Sequence, residues 1–162
     1  MDEQLKAILD SHRRWLKGEE GGERANLQGA DLRGARLAGA DLRRAMLKDA
    51  HFSGADLRGA RLEGAHLIGA NIDGADLRGV RLDGADMRLV DLNGADLRCA
   101  SLRCTLIDYA TLKDVDLRYA DLRGALLRFA YLNGALLEGA LLVGADLRGT
   151  DLRGAHLEGA RF

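Results

Sequence analysis

The sequence predicts an all-β solenoid, a chain wound into stacked coils and closed at its N-terminal end by a short helix. Three observations lead there. From Ala25 to Phe162 a large apolar residue returns every five positions, a small residue stands two places before it, and glycine stands two places after it in 18 of 27 cases. Internal repetition of this kind marks architectures in which each unit can bury its apolar face only against its neighbours.

Counting from Leu27 in steps of five gives 28 positions, 23 of them Leu and the others Phe52, Ile72, Met87, Ile107 and Phe162. The small position is Ala in 23 repeats, with Val80, Val90, Thr105, Val115 and Thr150 as the exceptions. A period of five matches neither a helix nor a strand, so each unit must join a short extended piece to a bend. Residues two apart in an extended piece share a side. The small and large apolar residues therefore face inward, the residues flanking Leu face outward, and the glycine position is a corner where a positive φ is wanted. Stacked coils of such sides enclose a column of Leu and Ala.

Residues 1–24 read differently. Leu5, Ile8, Leu9, His12, Trp15 and Leu16 fall on one helical stripe, with Asp2 placed as N-cap and Gly18 as terminator. This helix is expected to cap the first coil, Trp15 covering its open end, because a terminal coil otherwise exposes its core. The other reading of the segment is a partner-binding helix.

The motif ADLRG at 30–34, 55–59, 75–79, 120–124 and 145–149 resembles the A(D/N)LXX signature of the pentapeptide-repeat family, over residues 25–162. The segment HRRWLKGEEGGERANL is similar to the leader that precedes the first repeat in bacterial members. The resemblance implies a right-handed quadrilateral parallel β-helix with four pentapeptides per coil, which the five-residue period alone does not fix. The 28 repeats would then make seven coils and a rod roughly 34 Å long. The expected organisation is a capping helix and linker over 1–24 and the β-helix over 25–162. At the far end the repeats run to Phe162, and the end formed by Leu147, Leu152, Leu157 and Phe162 is expected to be open; the family implies a two-fold homodimer through these C-terminal coils, and the alternative is that Phe162 plugs the end of a monomer.

Composition removes several classes of function. Apolar residues make up 47% of the chain but never run long enough for a membrane helix. No basic-then-apolar leader opens it, and two cysteines make no disulfide framework, so a cytoplasmic protein is expected. Cys99 and Cys104 stand at successive corners, too far apart to pair. His51, His66 and His156 all precede an inward residue and fall on different sides, and no Ser or Cys has the context of a nucleophile. No catalytic residue, metal or cofactor is expected.

A solid rod must act through its outer surface. In the four-sided register Leu89, Tyr109 and Phe129 share one corner of three successive coils, with Leu106, Leu126 and Tyr131 beside them and Leu136, Leu141 and Val143 extending the apolar area. Contiguous apolar patches mark partner surfaces; the alternative is that these bulky corners stack only to stabilise the rod. The expected partner is a protein, with neither nucleic acid nor membrane involved. The family's best-known activity is binding DNA gyrase as a mimic of duplex DNA. A mimic about 34 Å long would need of order 20 net negative charges, whereas residues 25–162 hold 19 acidic and 19 basic side chains. The sequence therefore favours a rigid interaction scaffold over a DNA mimic, and over a structural rod without a partner.

Overall fold

The computed structural model describes residues 3–162 and contains one helix, α1 (Glu3–Lys17), followed by coils held by parallel bridges between residues twenty apart. The bridges run from Asn26↔Met46 to Leu141↔Arg161 without a slip. Four pentapeptides therefore complete one coil. The extended pieces are shorter than the term β-helix suggests: each side contributes a single bridged residue and then a turn. Five residues leave no room for more once two of them must round a corner.

Backbone hydrogen bonding explains the signature residue by residue. In the repeat Asp76–Val80, the Asp76 N–H donates to Ala55 in the preceding coil at 3.0 Å, and those of Leu77 and Gly79 donate to Asp96 and Arg98 in the next at 2.8 and 3.0 Å. The Val80 N–H closes the turn on Leu77 at 3.0 Å. One donor remains, that of Arg78, and the Asp76 carboxylate accepts it at 3.3 Å. A buried or half-buried N–H without a partner is costly, so Asp or Asn before Leu completes the unit as an Asx-turn. In three repeats where that residue is missing, the preceding coil supplies the acceptor: Asp83 takes the N–H of Arg103, Asn93 that of Lys113 and Asp108 that of Arg128, at 3.0, 2.8 and 3.0 Å.

The inward residues form one continuous apolar cluster. From Leu37 to Leu142 the large positions are almost wholly buried, and the Leu5 and Leu9 side chains of α1 belong to the same cluster. Toward the last coil burial falls away: Leu147, Leu152 and Leu157 are half-buried and Phe162 is 65% exposed, so its ring borders the column without sealing it.

The helix buries Leu5, Leu9 and His12, while Ile8, Trp15 and Leu16 are half-buried; the Asp2 N-cap lies outside the described residues. Gly18, at φ 71°, ends it in a Schellman arrangement, its N–H donating to Trp15 and that of Glu19 to Arg14, both at 3.0 Å. The main fastening is His12 rather than the expected Trp15. Its Nδ1 accepts the Ala25 N–H at 3.0 Å, so Nε2 carries the proton and donates to the Arg43 carbonyl at 3.0 Å. One imidazole thus ties the helix to the start and the end of the first coil, with Trp15 stacked on its outer face at 5.5 Å and Arg24 over the indole.

That arrangement requires neutral imidazole, and burial lowers the His12 pKa from 6.5, against weaker opposing effects of Arg43 and Asp41. The unfolded chain protonates first as the pH falls. The cap's contribution is therefore complete above pH 6.5 and declines as the pH drops from there toward the lower folded-state value. Trp15, the sole tryptophan, reports it: melting followed by its fluorescence is expected to shift down between pH 7 and 5 by a margin that His12→Ala abolishes.

Candidate protein interface

Every corner residue adopts a left-handed conformation, and nine of them are not glycine. A side chain there costs about 1–2 kcal/mol relative to the right-handed region. Leu89, Tyr109 and Phe129 accept this strain in one column, with φ of 60°, 60° and 57°. The rings of Tyr109 and Phe129 stack at 5.2 Å with planes 14° apart. Phe129 in turn leans over Gly149, where a Cβ would meet its ring at 2.5 Å. The stack remains open to solvent: Leu89 is 61% exposed, Tyr109 55% and Phe129 50%.

The adjoining sides supply the rest. Leu106 and Leu126 are bridged to one another and half-buried, and Tyr131, bridged to Thr111, is 49% exposed. Arg128 lies beside them, held by Asp108 through Nε–Oδ1 and Nη2–Oδ2 contacts of 3.0 and 2.8 Å, and Asp108 is itself buried. The guanidinium keeps the Asp108 pKa below the ordinary carboxylate value. The apolar corner is therefore bordered by a fixed charge pair of zero net charge.

Leu136, Leu141 and Val143 do not extend this corner. Bridges place Leu136 and Leu141 in two other columns, Asp116↔Leu136↔His156 and Asp121↔Leu141↔Arg161, and Val143 belongs to the same repeat as Leu141. Leu126, Tyr131, Leu136 and Leu141 form a belt around one coil, one on each side of the rod. Tyr119, not among the corner residues expected from the sequence, is the most exposed large apolar residue of those described, at 68%. It stands ten residues from both Tyr109 and Phe129, hence at the diagonally opposite corner, leaning over Gly139. Its signal was the same one that revealed Phe129, a bulky residue where glycine is the rule. Cys99 and Cys104 are free and exposed at separate corners.

The side that leads into the Tyr119 corner carries compensated charge. Asp56, Asp76, Asp96 and Asp116 each clasp the Arg two residues on, at 2.6–2.7 Å. Each of Arg58, Arg78 and Arg98 also reaches the Asp of the next coil at 3.6–3.7 Å. Hydrogen bonds from Arg58 hold the Asp56 pKa down to about 2. Such exposed pairs stabilise little, but from Asp56 to Arg118 they leave no uncompensated acidic row. Histidines 51 and 66 sit in separate columns; His156, by contrast, converges with two carboxylates, Glu138 and Glu158, which a search for clustered histidines alone does not detect.

The sequence profile of the pentapeptide repeats, in eight copies, matches residues 25–64, 47–84, 60–98 and 130–162, more than half of the chain. The chain is a pentapeptide-repeat protein. No curated protein matches it. Among solved structures, this pentapeptide-repeat protein is similar to a trypsin-treated variant of QnrB1, a plasmid-mediated fluoroquinolone resistance protein, with 21% identity, TM-score 0.51 and coverage of 86% of this chain and 84% of that one. It is also similar to HetL, a pentapeptide-repeat protein involved in heterocyst differentiation regulation from the cyanobacterium Nostoc sp. strain PCC 7120, with 28% identity, TM-score 0.30 and 92% coverage of both chains. A third match is a pentapeptide-repeat protein of the Arabidopsis thaliana thylakoid lumen, with 28% identity, TM-score 0.27 and coverage of 76% of this chain and 69% of that one. Proteins of this family are generally non-enzymatic scaffolds.

Proposed function

We propose that this pentapeptide-repeat protein is a rigid, non-enzymatic interaction scaffold, wound as a right-handed four-sided rod, that holds a protein partner against the corner of Tyr109 and Phe129. The observation that carries this reading is the exposed aromatic stack on left-handed backbone. Glycine would occupy both corners without strain. An aromatic pair adds about 0.5–1.5 kcal/mol beyond its buried area, and two left-handed side chains together cost about 2–4 kcal/mol, so the stack and the partial burial of its rings leave little net stabilisation. What the rings do provide is a stiff apolar ridge of the kind that anchors protein interfaces, with Arg128 and Asp108 as a polar rim. The balance of 19 acidic and 19 basic residues in the repeats, most of the Asp clasped by Arg, supports a protein partner of ordinary polarity over mimicry of a polyanion.

The double variant Tyr109→Gly/Phe129→Gly separates the readings. It is expected to unfold within about 1 kcal/mol of the parent, because relief of backbone strain offsets the lost stack. A partner captured by the parent chain is expected to be lost by the variant. A large fall in melting temperature with the same partner retained would make the column a structural device and leave this interface without a role.

A further inference from the structure

The charge ladder of Asp and Arg ends above Arg118. In the next coil its two columns carry Leu136 and Glu138, and in the one after that His156 and Glu158. Carboxylates thus occupy the column in which Arg58, Arg78, Arg98 and Arg118 stood, on residues twenty apart and so about 4.8 Å from one another. Like charges stacked in this way repel. No arginine is interleaved between them; Arg118, one coil below, is the basic group whose pKa Glu138 helps to raise.

Into this break projects His156. Single ligand atoms of Glu138, His156 and Glu158 all lie within 4.8 Å of one another. The backbone that carries them is fixed on both strands: the Leu137 and Gly139 N–H groups donate to His156 and Glu158 at 2.8 and 3.0 Å, and that of His156 donates to Ala135 at 2.9 Å. A second observation is independent of that convergence. The Oε2 atom of Glu138 is enclosed and accepts no hydrogen bond, and a buried polar atom in that condition asks for an explanation, an ion among them.

We propose that Glu138, His156 and Glu158 form a surface site for a divalent transition-metal ion of the zinc type, with water completing the coordination. One imidazole and two carboxylates are the mixed nitrogen and oxygen set such ions accept, whereas calcium and magnesium take oxygen donors almost alone. Donors each about 2.1 Å from one ion stand at most about 4.2 Å apart, so rotations of the exposed His156 and Glu158 side chains close the set around the half-buried Glu138. The dication neutralises both carboxylates and satisfies the enclosed oxygen. Three protein ligands leave a position open toward solvent, the pattern of an exchangeable rather than a sealed structural site.

Calorimetric titration of the full chain with Zn2+ tests the proposal. One ion per chain is expected at micromolar affinity, and His156→Gln and Glu158→Gln are each expected to weaken it at least about tenfold. Both side chains are exposed, so circular dichroism and melting without metal should match the parent. Co2+ as a spectroscopic substitute is expected to give visible ligand-field bands without a thiolate charge-transfer band, separating this site from Cys99 and Cys104. Absence of binding at millimolar Zn2+, equal binding by the His156 variant, or a thiolate band would each overturn the proposal.

Discussion

Phe52→Ala is expected to destabilise the rod by about 3–5 kcal/mol, among the most damaging single changes available to it. Phe52 is 1% exposed and is the one aromatic ring within the enclosed leucine column, in register with Leu32 below and Ile72 above. Truncation leaves a void that its surroundings cannot readily close. The Phe52 N–H is bonded to Asn71 in the next coil, and its carbonyl accepts the turn bond from Ala55 at 2.8 Å. Movement of that side inward would sacrifice bonds to two neighbours. Urea denaturation measures the loss, which is a large share of the roughly 5–15 kcal/mol that holds a typical domain together. Phe52→Leu, which restores the commonest residue of the column, is expected to cost less than about 1.5 kcal/mol. A loss below about 1 kcal/mol for Phe52→Ala would show that coils can shrink individually, and the account of the core would be wrong.

Gly22→Ala is expected to detach the N-terminal helix at a cost of about 3 kcal/mol, the upper end of ordinary single substitutions. A Cβ on Gly22 would fall 2.3 Å from the Trp15 nitrogen and 2.6 Å from the Arg14 carbonyl carbon. These are backbone atoms of α1 and cannot swing aside. The linker would have to lift away, drawing Ala25 from the His12 Nδ1 atom that its N–H now reaches. A red shift of Trp15 emission together with the lowered midpoint is the expected signature. Gly21→Ala is the control: its nearest neighbour is the mobile end of Arg14 at 3.7 Å, and only its φ of 69° resists a side chain. It should cost about 1–2 kcal/mol and leave the emission unchanged.

The column, the corners and the capping stripe were legible in the sequence because each depends on one residue type at one spacing. A large apolar residue at every fifth position cannot be placed outward 28 times without exposing the whole core. The coil length was another matter, since a period of five fits coils of several sizes; it took the resemblance to a known family to choose four sides, and the bridges twenty residues apart show them directly. Less was legible wherever two coils cooperate. Asp108 looks like an unremarkable outward residue until Arg128, lacking an Asp two places before it, is seen to take its acceptor from the coil below. His12 read as one member of an apolar stripe, yet it is the polar clasp of the cap because both of its nitrogens find backbone partners. Glu138, His156 and Glu158 went unnoticed because two of the three are carboxylates, and a chain with 19 acids in its repeats gives no reason to single out a pair until their column is known.

The twenty-residue bridge spacing also governs how such a chain can change its length. Excision of one whole storey leaves two cut surfaces that still match, and every residue above simply descends one level. Loss of a single pentapeptide instead rotates the upper part by a quarter turn, which would carry Phe129 off the edge it shares with Tyr109. Descendants that keep an edge-bound partner are thus confined to gains and losses in quanta of twenty, although the interior itself would tolerate steps of five.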